Sequence, residues 1–298
     1  MILLIKHNIM KRIRILVVVF IIGIFTGNVY SQITPKKSDL HSNGNKLNAD
    51  LYPASGEDKH PTLILLPGMP GGEGDIFGLG KKLSSSGINV LIFNFQGTHS
   101  SEGTSSFENS MVDVGAAHMF LKKKENIERF NIDTSNIIVG GWSYGGAMAL
   151  TAAIYNTDIK RIISIAGADE SVFARRFKSD PEYYKMFYQS MEELIYPKGP
   201  IKSDIDLSFD NWITNLDRYD QVIHADSLKD RNILFLGGWR DQNIVLEEHI
   251  LPLYRRLQEL NAEYVKIQVF DTNHGFGNVR EELADTIEKW IKEKNNAL

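Results

Sequence analysis

One serine in this chain stands where a hydroxyl could become a nucleophile. It lies in Gly140-Gly141-Trp142-Ser143-Tyr144-Gly145-Gly146, directly after the apolar run Ile137-Ile138-Val139 and directly before the helix formers Ala147-Met148-Ala149-Leu150. Gly-x-Ser-x-Gly is a short pattern that recurs by chance. Its weight comes from context, because a strand should end at it and a helix should begin at it, and both are predicted here. Such a turn leaves no room for side chains two residues either side of the serine and lifts the hydroxyl toward solvent. It also aims the first free N–H groups of the helix, that of Tyr144 foremost, at the place where negative charge would form. A glycine-rich turn can instead cradle a phosphate, but this one lacks the P-loop lysine and the three-glycine dinucleotide spacing.

A serine hydroxyl is a poor nucleophile without a base. His274, in Phe270-Asp271-Thr272-Asn273-His274-Gly275-Phe276, follows the last apolar run, and Asp241 closes Leu236-Gly237-Gly238-Trp239-Arg240-Asp241 after the run before it. Active groups of open parallel sheets gather beyond the carboxyl ends of the strands, so hydroxyl, imidazole and carboxylate could meet there. Asp169, after Ile165-Ala166-Gly167-Ala168, stands at another strand end and is a competing acid. Asp271 is too near His274 in sequence to approach it well, and Asp226 precedes its strand. His99 follows a strand and could face a pocket or organise its own loop. His118 and His249 fall in helical segments and read as surface or packing residues, while His41, His60 and His224 have no chemical context. No His-Glu-x-x-His or similar ligand cluster occurs, so neither a catalytic metal nor a cofactor is expected. A second oxyanion donor should come from Leu66-Pro67-Gly68-Met69-Pro70-Gly71-Gly72. Pro70 has no N–H, which leaves that of Met69 to partner that of Tyr144.

The elements that must position these groups are legible as alternation. Thr62–Leu66, Asn89–Phe93, Ile137–Val139, Arg161–Ile165, Ile233–Leu236 and Val265–Phe270 are near-continuous apolar runs, as strands covered on both faces should be, with Leu47–Tyr52 as a further edge strand. Between them, helical spacing predicts segments at about 75–86, 108–130, 144–155, 247–261 and 280–294. The pattern predicts an α/β fold, a mostly parallel sheet covered by helices on both faces. The interval 170–230 breaks the alternation and holds ten aromatic residues between Phe173 and Tyr219, a higher share than the 10% of the whole chain. It is too long for a plain loop and too aromatic for a disordered one, so a helical cap is expected. Most of its rings should fill the cap's own core, with one or two facing a pocket.

The 298 residues, 43% apolar and 23% charged, suffice for one large core. Of the 33 basic residues, Lys6, Lys11, Arg12 and Arg14 fall within the first 31, where no acid occurs, so the remainder is more acidic than the net charge of -4 suggests. Such a body is poorly suited to nucleic acid. With no cysteine, disulfides, thiolate metal sites and a thiol nucleophile are excluded. Lys11, Arg12 and Arg14 precede an apolar run from Ile15 to Phe25, and Val29-Tyr30-Ser31 supplies a cleavage site. The run is shorter than the roughly 20 residues that span a bilayer. Residues 1–31 therefore read as a signal peptide, with the remainder from Gln32 exported to a periplasm or medium and without a stable membrane anchor once cleaved. The alternatives are a buried first strand or an uncleaved anchor.

These residues together resemble the α/β-hydrolase superfamily over most of 47–294. The turn Gly141–Gly146, the stretch Phe95-Gln96-Gly97-Thr98-His99-Ser100-Ser101-Glu102-Gly103 and the histidine turn resemble the prolyl oligopeptidase group. The resemblance implies a triad of Ser143, Asp241 and His274, in that chain order, and caps between the same two strands. Peptidases of that group usually carry a large N-terminal β-propeller, for which the stretch between Gln32 and the first core strand leaves no room. They also commonly add a tyrosine hydroxyl to the oxyanion site, and Met69 and its neighbours offer none. Amides need more transition-state stabilisation than esters, so the expectation is an exported carboxylic ester hydrolase working through an acyl-enzyme. A secreted peptidase acting on short peptides and a non-catalytic binding protein on the same fold are the alternatives.

Overall fold

A computed structural model describes residues 34–293. The expected signal segment and residues 294–298 lie outside the described residues. An eight-stranded sheet runs in the order β1-β2-β4-β3-β5-β6-β7-β8. Its strands are β1 (Lys36–Ser42), β2 (Asn45–Tyr52), β3 (His60–Leu66), β4 (Asn89–Phe93), β5 (Ile132–Trp142), β6 (Arg161–Ile165), β7 (Asn232–Gly238) and β8 (Val265–Phe270). The first two form an antiparallel hairpin and β2 pairs antiparallel with β4; every other pairing is parallel. This is the expected mostly parallel α/β architecture. Strand β1 escapes a reading of apolar runs because its inward positions are Ser38, Leu40 and Ser42, two of them hydroxyls. Asn43 and Gly44, both at positive φ, close its two-residue turn.

Right-handed crossovers place helices that follow steps in opposite directions on opposite faces of a parallel sheet. The step from β3 to β4 runs one way, and those from β4 to β5 and onward run the other. Accordingly α1 (Leu79–Ser85) meets the C-terminal α11 (Arg280–Lys292), whereas α2 (Phe107–Leu121) meets α4 (Tyr144–Tyr155). Two expected helices come out shorter. Asp75 accepts the N–H groups of Gly80 and Lys81 at 2.6 and 2.9 Å, so its carboxylate caps α1 from outside instead of starting it. The 108–130 segment breaks at Lys122 and Lys123 into α2 and α3 (Lys124–Phe130), where Asn126 Nδ2 donates to the Phe120 carbonyl at 2.8 Å.

Between β6 and β7 lie α5 (Glu170–Ser179), α6 (Pro181–Glu192), α7 (Ile205–Thr214) and α8 (Leu216–Tyr219). Asp169, Asp180 and Asp204 cap the first three, each accepting a backbone N–H. Their apolar faces share a second core around Phe177, Phe209, Trp212 and Tyr219. A strap between α6 and α7 lies along the loop after β4: the His99 N–H donates to the Pro200 carbonyl at 3.0 Å, and Ser105 and Lys202 exchange bonds with Lys202 and Gly97. That docking accounts for the Phe95–Gly103 stretch and for His99, which organises its loop. Two further helices, α9 (Leu246–His249) and α10 (Leu251–Glu259), precede β8. Among the described residues no helix is long and apolar enough to cross a membrane.

The end of β3 and the first turn of α4 approach so closely that only glycine fits between them. A Cβ at Gly145 would stand 2.3 Å from the Leu66 carbonyl oxygen, and one at Gly141 2.4 Å from the Gly145 carbonyl carbon. Gly145→Ala is expected to cost about 2–3 kcal/mol, an overpacking that backbone cannot relieve. Gly115→Ala, within α2 and with nothing inside 4 Å of the added carbon, should be neutral or stabilising. Urea unfolding of both variants checks the contrast.

Candidate active site

Ser143 begins α4 at φ 56 and ψ -120, a conformation unfavourable for a residue with a side chain. Its surroundings impose it. The Ser143 N–H donates to the Ile165 carbonyl at 2.9 Å, and its own carbonyl accepts from Ala147 and, at 3.4 Å, from Ala168. Gly68, in the turn after β3, lies alongside: a Cβ there would be 3.2 Å from that of Ser143. The N–H groups of Met69 and Tyr144 have no acceptor among the described residues, and both residues line the same cavity as Ser143.

Asp241 and His274 are joined directly, Nδ1 to Oδ2 at 2.7 Å. The Asp241 carboxylate also accepts the N–H groups of Asn243 and Ile244, each at 2.9 Å. Burial alone would raise its pKa, but the His274 hydrogen bond, the two amides and the imidazole charge together hold it below the usual carboxylate value. An ionised carboxylate only accepts, so Nδ1 carries a hydrogen, and in the neutral imidazole the lone pair falls to Nε2. The Asp241 and His274 turns are also laced together: Arg240 N–H donates to the Thr272 carbonyl, and the Arg240 guanidinium pairs with Asp271 at 2.9 Å. Asp271 is thereby engaged in positioning the loops.

Trp142 ties this pair to the serine. Its Nε1 donates to the His274 carbonyl at 2.9 Å, and its ring lies 5.0 Å from the imidazole. The free chain has no hydrogen bond between Ser143 and His274, although both line one cavity. Asp169, the competing acid, is occupied elsewhere: Oδ1 accepts both the N–H and the hydroxyl of Ser171 as the cap of α5. Asp226 pairs with exposed Lys229.

The cavity beside Ser143 has a volume of about 660 Å³. Phe173, Tyr183, Phe187 and Trp212 of the inserted helices line it, together with Phe107 and Met69. A smaller cavity of about 160 Å³ shares Met69, Phe107, Tyr144, Met191 and Trp212 with it. Several groups here carry no sequence signal. His249 is neither a surface residue nor merely packing: it is buried in the cavity wall, and its Nδ1 accepts the Asp169 N–H at 3.2 Å. Burial, only partly offset by Asp241, lowers its pKa to about 4, so it is neutral at pH 7. Glu170 also lines the cavity, 3% exposed. Burial, reinforced by neighbouring Asp169, pushes its pKa up to about 8.

A family model for the prolyl oligopeptidase family matches residues 81–297. The chain belongs to the prolyl oligopeptidase family. A proline iminopeptidase from Saccharolobus solfataricus is 28% identical over 156 residues, 50% of this chain and 48% of that protein, so the chain spans about half the length of this curated relative. The esterase Pf2001 of Pyrococcus furiosus superposes with a TM-score of 0.63 at 20% identity, over 87% of this chain and 90% of its own. The acylaminoacyl peptidase of Pyrococcus horikoshii does so with 0.64 at 18% identity, over 91% of this chain and 44% of its own. These likenesses give the fold, that of the α/β-hydrolases.

The raised pKa of Glu170 has a consequence for stability. A carboxyl whose folded pKa lies above its unfolded one stabilises fully below the unfolded value and loses that contribution as pH rises through the folded value. Between about pH 4 and pH 8 the buried group therefore weighs increasingly against folding. Glu170→Gln is expected to gain on the unmodified protein by on the order of 1–3 kcal/mol more at pH 8 than at pH 4. Urea denaturation at the two pH values measures it.

Proposed function

We propose that the chain is an exported carboxylic ester hydrolase. His274 takes the proton of Ser143 as the hydroxyl attacks the acyl carbonyl, Asp241 holds the imidazole and stabilises its cation, and the Met69 and Tyr144 amides bind the oxyanion. The alcohol leaves with a proton from His274, and water, activated in turn by His274, releases the acid from Ser143. The observation that carries this reading is the buried Asp241–His274 bond held beside a strained serine by Trp142. Catalytic hydrogen bonds often tighten only once substrate is bound, and the Ser143–His274 contact is expected to close in that way.

Esters are favoured over amides because the turn Gly68–Gly72 brings no hydroxyl to the oxyanion, a donor worth roughly 3 kcal/mol. The phenol of Tyr144 does not replace it, since it is buried and donates to Ser110 Oγ at 2.8 Å. The family and the iminopeptidase relative support a second reading, cleavage of short peptides. A panel of aryl esters and aminoacyl arylamides separates the two, and kcat/KM is expected to be greater on the esters.

A fluorophosphonate should label Ser143 in the folded protein and leave Ser143→Ala unlabelled. Asp241→Asn, which favours the wrong imidazole tautomer, should lower kcat by about 10⁴-fold. Labelling at another residue, or full activity in either variant, would remove the triad.

Export rests on Lys11, Arg12 and Arg14 ahead of the Ile15–Phe25 apolar run. Expressed with its own N-terminus in a Gram-negative host, the protein recovered from periplasm or medium should begin at Gln32 by mass spectrometry. Full-length chain confined to the cytosol would count against it.

A further inference from the structure

Glu170 takes no part in the acyl-transfer chemistry, and its carboxyl has no hydrogen-bond or ion-pair partner among the described residues. The backbone around it is firmly held. Its carbonyl accepts from Trp212 Nε1 at 2.8 Å, Asp169 caps the same turn, and the Ala168 N–H two residues earlier bonds the Ser143 carbonyl. The Glu170 backbone thus stands at a fixed place in the wall of the cavity that Ser143 and His274 also line.

The rest of the wall sets the sign of what it would meet. Phe173, Phe187 and Trp212 offer aromatic surface, and a second acid, Glu248, lines the same space. Arg176, which also lines it, has its guanidinium 3.9 Å from the Tyr183 ring centroid, and no ion pair joins it to either acid among the described residues. An unpaired carboxyl in a desolvated place is costly unless a positive charge or donor arrives. Aromatic faces attract organic cations for a separate reason, their ring quadrupole.

We infer that Glu170 is a specificity-determining residue that receives a positively charged nitrogen of the substrate between its carboxylate and the aromatic wall, which makes the substrate class esters of cationic acids or alcohols. The inference rests on the ester-hydrolase reading for its substrate and on the cavity for its cation. When the cation enters, the Glu170 proton departs to solvent and the carboxylate is left paired.

Fixed-charge probes avoid titration of the ligand. The test compares butyrylcholine with its neutral isostere 3,3-dimethylbutyl butyrate, and phenyl 4-(trimethylammonio)butanoate with phenyl 5,5-dimethylhexanoate, which place the charge on the alcohol and acyl sides in turn. In the unmodified protein the cationic member of at least one pair should be preferred in kcat/KM by about tenfold or more. Glu170→Gln should bring that ratio close to one. A ratio near one for both pairs in the unmodified protein, or one unchanged in Glu170→Gln, overturns the inference. Should Glu170→Gln fail to fold, Glu170→Asp, which withdraws the charge by one methylene, is read in the same way and should lower the ratio. Calorimetric titration with benzyltrimethylammonium chloride keeps the two readings apart. Binding that weakens about tenfold in Glu170→Gln, with no ester turned over, retains the cation site and discards the ester hydrolase. Ester turnover without Glu170-dependent cation binding does the reverse.

Discussion

The Leu66 carbonyl reaches so far toward the first turn of α4 that no side chain fits at position 145. Much of the site depends on that approach. With β3 and β5 paired through Leu66 and Gly141, the chain must turn from strand to helix in a single residue, and that residue is forced to positive φ. Ser143 is held there by backbone bonds to β6 on one side and to α4 and Ala168 on the other. The same approach brings the turn after β3 beside the serine, so that Met69 and Tyr144, from segments far apart in sequence, line one cavity. Local strain is sustained because parallel strands with continuous apolar burial fix both ends of the turn.

Convergence of distant segments is secured by side chains that do no chemistry. Trp142, adjacent to Ser143, bonds the His274 carbonyl and packs tilted against both His274 and Phe77, with Arg280 over the Phe77 ring. Arg240 ties the loop carrying Asp241 to the loop carrying His274. The imidazole is therefore referenced to the serine's own strand and to the carboxylate's loop at once. Losing either tie leaves the three functional groups present and their mutual geometry undefined.

The parallel core was legible in sequence because doubly covered strands are nearly continuous in apolar residues, as Thr62–Leu66 through Ile233–Leu236 are, whereas the edge strand β8 carries Lys266 and Gln268. Ser143, His274 and Asp241 were legible as candidates because each follows one of these strands. Strand β1 was not, since its inward face carries two serines, and the shortened α1 was not, since Asp75 caps it from across a loop. Nor does spacing reveal His249 and Glu170. Both are ordinary polar residues on helices, and what distinguishes them is their burial, a property of the assembled tertiary structure. The aromatic residues between β6 and β7 were countable but not assignable. Phe177 and Phe209 fill the second core, whereas Phe173, on the same helix as Phe177, and Phe187, on α6, also line the cavity.

Asp241 and Glu170 show how the fold separates two carboxyls exposed to the same penalty. Both are buried, and desolvation raises the pKa of each. Asp241 receives two amides and an imidazole, which more than offset burial and keep it ionised. Glu170 receives nothing, and the nearest charge, Asp169, has the same sign. The difference lies in the backbone at each place. The turn after Asp241 points two N–H groups at its carboxylate, whereas the first turn of α5 spends its free N–H on the cap Asp169. A charge required at all times is thus given its donors by the fold, and one without such donors is held neutral until a ligand supplies the compensation. Where buried acids diverge in this way within one fold, their environments assign them different tasks more reliably than their residue types do.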